Sequence, residues 1–180
     1  MILSSIGGRR DEMNRAADPA DPEDAMPDDQ VEARMPLPGA ASPAPGGPIL
    51  VALLEELAQV ASEEQARAFL GALGKRIALA HPLDRPNTLA ALEAQANMIW
   101  GQLGWGRTRL VAGSGGIRIS HHGWPTNLAG DHHGLWPRAF PMLLAALYQA
   151  WFQSLGEPED LDTHIVSHNR ELIELRHGPR

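Results

Sequence analysis

The stretch TLAALEAQANMIWGQLGWGRTRLVAGSGGIRISH, residues 88–121, decides the fold. Leu89, Leu92, Ala96, Ile99 and Leu103 recur at three- and four-residue spacing, so one helix face is apolar along its length and must be buried. Asp84, Asn87 and Thr88 precede that helix and can cap free N–H groups, Pro86 suits a first turn, and Gly104 stands where a helix ends. Beyond the hinge Gly104-Trp105-Gly106 the chain alternates from Arg107 to Val111. Thr108 and Leu110 fall on one side and Arg107 and Arg109 on the other, the pattern of a half-buried strand. Gly113-Ser114-Gly115-Gly116 accepts positive φ, and Ile117 to His121 alternates again with Ile117 and Ile119 inward. An antiparallel hairpin follows from that pattern.

Two helices precede this centre. Leu50, Leu53, Leu54, Leu57 and Val60 give a short amphipathic helix opened by Pro48, and a second starts at Ser62, which forms a capping box with Gln65. The second helix carries Ala66, Phe69, Leu70, Leu73 and Ile77 on its apolar face, with Gly71 and Gly74 expected to let a neighbouring backbone approach. After the hairpin, residues 123–136 read as a loop. A helix then starts between Pro137 and Pro141 and runs to about Leu155, burying Phe140, Leu143, Leu144, Leu147 and Trp151. Asp162 to His168 and Glu171 to His177 alternate around an Asn169-Arg170 turn as a second hairpin. The expectation is an α+β fold in the order α-α-α-β-β-α-β-β, with helices on one face of a small antiparallel sheet and the sheet edges exposed.

Residues 1–48 differ in kind. Between Gly7 and Pro48 the chain holds eight of its fifteen prolines, no aromatic residue, and nine acids against four arginines. Such a segment cannot bury enough apolar surface to offset its ordering entropy, so an acidic, disordered tail is expected before a domain over residues 49–180. The tail either solubilises the chain or orders on a partner. The whole chain carries a net charge of −7 and no cysteine, which excludes thiol chemistry and argues against a nucleic-acid partner. The aliphatics in residues 1–6 are too few for a signal peptide, and no run approaches a membrane span, so a cytoplasmic location is expected.

Two constellations could carry chemistry. His121-His122 and Asp131-His132-His133 flank one loop and could converge on a divalent metal, as in a small metal-dependent hydrolase. Neighbouring strand residues point to opposite faces, however, which sets His121 against His122, and their usual reading is a solvated or hydrogen-bonded loop. The Gly113 to Gly116 run lacks the strand-to-helix setting of a phosphate loop, and Glu55-Glu56 and Glu63-Glu64 sit at helix starts or outer faces, unlike a glycosidase pair. No catalytic residue, metal or cofactor is implied. The five tryptophans are the second constellation, because indole offers a flat apolar face and an N–H donor to a sugar ring. Trp124 and Trp136, in the loop, are the candidates for sugar or interface contact; Trp100, Trp105 and Trp151 read as packing residues.

The run Thr88, Leu92, Asn97, Leu103-Gly104-Trp105-Gly106, then Ile117-Arg118-Ile119-Ser120-His121, resembles the core of the cellulose synthase operon protein D family. Leu144, Leu147-Tyr148 and Trp151 match a Leu-x-x-Leu-Tyr-x-x-Trp helix of the same family, and Trp136 precedes it at the corresponding place. Of the four loop histidines only His121 has a counterpart. The resemblance implies a non-catalytic accessory subunit of the bacterial cellulose synthase complex, a homo-oligomer in which dimers build an octamer, organising glucan chains or synthase sites for crystallisation and export. It implies other synthase subunits as partners at the inner membrane, with a proline-rich operon protein and glucan chains as further candidates and the periplasm as the alternative compartment. The acidic tail departs from the family pattern. A metal-dependent hydrolase and a glucan-binding module stand as the rival readings.

Overall fold

A computed structural model describes residues 46–179; the expected disordered tail lies outside the described residues except for its last three, which open the first helix. The elements are α1 (Gly47–Val60), α2 (Glu63–Ala80), α3 (Leu89–Leu103), β1 (Arg107–Gly113), β2 (Gly116–His122), α4 (Leu135–Ser154), β3 (Leu161–His168) and β4 (Leu172–Pro179). The fold is α+β in the expected order.

Local chemistry sets most of these boundaries. Ser62 and Gln65 close the capping box of α2, with Ser62 N–H donating to Gln65 Oε1 at 2.8 Å and Gln65 N–H to Ser62 Oγ at 3.2 Å. Thr88 Oγ1 accepts from Ala91 N–H at 3.1 Å to start α3, and Gly104, at φ 66°, turns the chain out of it. The loop before α3 is pinned by Gln95, whose amide bonds both the N–H and the carbonyl of Asp84.

The two hairpins fuse into one antiparallel sheet of order β1-β2-β4-β3, because β2 pairs with β4 through Ile119↔Leu175 and His121↔Ile173. The inner rows are therefore apolar across strands, with Leu110, Ile119 and Leu175 buried in register. α4 lies over that face and buries Phe140, Leu144 and Leu147 completely. Each such side chain contributes about 1.5–3 kcal/mol on burial. α2 packs on the other side of α4, where Gly74 faces the Leu143 carbonyl. Gly71, by contrast, faces open space, so only one of the two helix glycines serves close approach.

Three expectations change. The edge of β1 is covered rather than exposed: Asn97 of α3 accepts from Thr108 N–H at 2.7 Å and donates to Thr108 O at 2.9 Å, and Glu93 accepts from Leu110 N–H at 2.7 Å. Side chains spaced one helical turn apart thus stand in for a missing strand. On α1 the sequence pattern places Leu53 and Val60 inward, yet only Gly47, Val51 and Leu54 are buried. The helix has apolar residues on two sides, and α4 and α2 cover one of them. Phe69 of α2, also expected inward, is exposed.

Candidate functional site

The rings gather beneath the sheet. Trp100 from α3 meets His121 of β2 edge-on at 5.1 Å and Trp151 of α4 at 5.2 Å, and Trp124 stacks on Phe140 at 5.2 Å. Their polar atoms are mostly placed: Trp100 Nε1–H donates to Tyr148 Oη at 3.0 Å, Trp151 Nε1–H to His81 O at 2.9 Å, and Trp136 Nε1–H to Pro125 O at 2.6 Å. Burial pushes the Tyr148 hydroxyl well above its usual range, so it stays protonated.

This layer relocates both sugar-contact candidates. Trp136 is not in the loop but in the first turn of α4, since the Asp131 carboxylate accepts from Leu135 N–H at 2.8 Å and Trp136 N–H at 2.9 Å and starts the helix ahead of Pro137. It is 1% exposed, and Trp124 is 4% exposed. The ring faces on which the glucan assignment relied are occupied by Phe140 and its neighbours. Packing explains both positions, as it explains Trp100 and Trp151.

The histidine cluster does not assemble. His121 donates Nε2–H to the Trp105 carbonyl at 2.6 Å inside the core, and burial lowers its pKa to about 4, holding it neutral. His122 lies on the opposite face of the strand, Asp131 commits both oxygens to the α4 cap, and His132 and His133 are exposed. Among the described residues no three His, Asp or Glu side chains are gathered to hold a metal. A hydrolase centre built from these five residues has no geometric basis in this fold.

What the described chain offers instead is surface. Ile49, Leu53 and Val60 of α1 are 70%, 57% and 71% exposed, and their spacing puts them in one stripe opposite Val51 and Leu54. The outer face of the sheet carries Arg107 and Arg109 on β1, Arg118 on β2 and Arg176 on β4. The alternating arginines are visible in the sequence, but their meeting on one face depends on the β2–β4 pairing, which no local signal announces.

The order α3, hinge, hairpin, α4 places most residues of the sequence resemblance in structural roles, with Thr88 capping α3, Asn97 on the β1 edge, Trp105 against the His121 ring nitrogen through its carbonyl, and Leu144, Leu147, Tyr148 and Trp151 in the core. The sequence model of the family of cellulose synthase D subunits matches residues 48–178, nearly the whole of the described fold. The chain belongs to the cellulose synthase D-subunit family. None of the individually curated proteins matches it. Membership gives it a role in the cellulose synthase complex and in cellulose biosynthesis. No helix of the described residues is long and apolar enough to cross a membrane.

Proposed function

We propose that this chain is a non-catalytic accessory subunit of the cellulose synthase complex. It acts as a homo-oligomer, an octamer built from dimers, that organises glucan chains or synthase sites so that the exported product crystallises. The observation that carries the reading is the second apolar stripe of α1, Ile49, Leu53 and Val60, which one copy of the fold leaves uncovered. A helix apolar on two sides is stable against partners on both, and α4 and α2 together cover only one of them. A second copy is the partner the family reading provides, and other synthase subunits, a proline-rich protein and the glucan itself are the further contacts of the assembly. The working location is the cytoplasmic side of the inner membrane beside the synthase, with the periplasm as the alternative.

Sedimentation of the purified chain tests the assembly: the mass should be a multiple of 19.5 kDa. The double variant Leu53→Glu/Val60→Glu, which places charge in the stripe, should fall to a smaller species while keeping its helix content. A monodisperse wild-type monomer at micromolar concentration removes the reading. In a reconstituted synthase lacking this subunit, polymer should still form but pack poorly; arrest of polymer synthesis refutes the accessory role.

A further inference from the structure

The outer face of the sheet is strongly basic in a chain whose net charge is −7. Arg118 and Arg176 are directly paired across β2 and β4, and Arg107 and Arg109 stand two residues apart on β1. Like charges opposite one another in a sheet are unfavourable unless something neutralises them. No ion pair between described residues involves any of the four. The acids beside them are engaged elsewhere: Glu174, in the row of Arg109, accepts from Ser167 Oγ at 2.9 Å, and Glu93, which borders Arg107 and Arg109, accepts from Leu110 N–H at 2.7 Å.

Arg176 is also held in place. Its Nε–H donates to the Gly115 carbonyl at 2.8 Å, and its guanidinium occupies the space that a Cβ on Gly115 would need. The hairpin turn is thus shaped to seat this side chain, with Nη2 lying against Gly115. With Arg118 it borders a depression of about 380 Å³ floored by Val111 and the glycine turn. A guanidinium fixed in this way loses little further entropy on forming a paired hydrogen bond with an oxyanion.

We propose that this face docks an extended, carboxylate-rich segment of a partner polypeptide. The spacing favours that occupant. Arg107 and Arg109 are about 7 Å apart along the strand, the repeat of alternate side chains in an extended chain, and the Arg118–Arg176 pair lies roughly 5 Å apart across it. A bilayer surface fits less well, because faces that bind lipid join their cations to inserted Trp, Phe or Leu. This one carries no Trp, Tyr or Phe and, besides Val111, only the half-buried Leu172 and the exposed Val166 as larger aliphatics. A second copy stacking the same face on itself would set arginine against arginine. The inference does not depend on the α1 stripe or on the oligomer it forms.

The test uses the full chain and a fluorescein-labelled ten-residue peptide of alternating Glu and Thr at about 150 mM salt. The peptide should bind, and the Arg118→Gln/Arg176→Gln variant should weaken it by about tenfold or more. Lys75→Gln/Arg76→Gln, which removes the same charge from exposed α2 positions, should leave binding unchanged. If the first variant unfolds by circular dichroism, Arg107→Gln/Arg109→Gln takes its place with the same expected loss. Three results overturn the proposal: no peptide binding by the wild type, equal weakening by both double variants, or binding to phosphatidylglycerol vesicles in place of the peptide. Sedimentation of the same variants separates this face from the α1 stripe, since the arginine variants should keep the wild-type mass.

Discussion

Removing the Asn97 side chain should loosen the sheet from α3. In the native fold its amide accepts from Thr108 N–H at 2.7 Å and donates to Thr108 O at 2.9 Å. Both partners are backbone groups of a residue only 4% exposed. In Asn97→Ala the two bonds vanish at about 1 kcal/mol each, and the Thr108 groups, left without partners in a site water barely reaches, add about 1 kcal/mol more. Alanine recovers roughly 0.6 kcal/mol of helix propensity over asparagine. The net loss is about 2 kcal/mol, or roughly 6 °C in the unfolding midpoint of a domain this size. The tryptophans are mostly buried, so their fluorescence reports the urea transition, measured at fixed protomer concentration because assembly shifts apparent stability. Met98→Ala, on the exposed side of the same helix, is the control and should change little. If Asn97→Ala costs less than about 0.5 kcal/mol, the edge of β1 does not depend on these bonds and the account of α3 as its cover fails.

The two glycines of α2 should respond with opposite signs. A Cβ at Gly74 would sit 2.5 Å from the Leu143 carbonyl and 3.0 Å from Ala146 Cβ, so Gly74→Ala must push α2 off α4 and should destabilise by about 1–3 kcal/mol despite its better helix propensity. Gly71→Ala meets nothing within 4 Å and should stabilise by up to about 1 kcal/mol; urea melts that rank the two alike contradict the packing. Stability should fall with acid in a defined window. Folded His121 titrates near 4 and the unfolded chain near 6.5, so the unfolded state binds the extra proton between those values. The contribution is complete above about pH 6.5 and is lost progressively toward pH 4, by about 3 kcal/mol. His177, lowered by burial beside Thr163 and Phe152, acts in the same direction. An unfolding free energy that is flat from pH 7 to pH 4 refutes the neutral core assignment.

How much was legible in the sequence follows the range of the interactions. Ser62 with Gln65, Thr88 ahead of Leu89, Gly104 after Leu103 and the glycine turn between two alternating runs each act over a few residues, so helices, strands and their order could be read directly. Asp131 reaches only four and five residues forward to start α4, yet Pro137 and Pro141 masked that start and left Trp136 looking like loop. That misreading made Trp136 a candidate for sugar contact, and Trp124, which does lie in the loop, was a candidate because its burial against Phe140 is not visible in the sequence. Indoles suit a core as well as a ligand, and only the position of Phe140 between them decides which.

The sequence by itself determined the element order, the caps of α2 and α3, the first hairpin and the family, because these are written in neighbouring residues or in their linear order. The second hairpin pairs His168 with Ile173 across a longer turn and a bulge that the Asn169-Arg170 reading did not give. Tertiary structure decided which of the two apolar sides of α1 is buried, that Asn97 and Glu93 complete the edge of β1, that five metal-capable side chains point apart, and that four arginines from two hairpins share a face. Those outcomes join residues far apart in the chain, and their energies exist only once packing has brought the partners together.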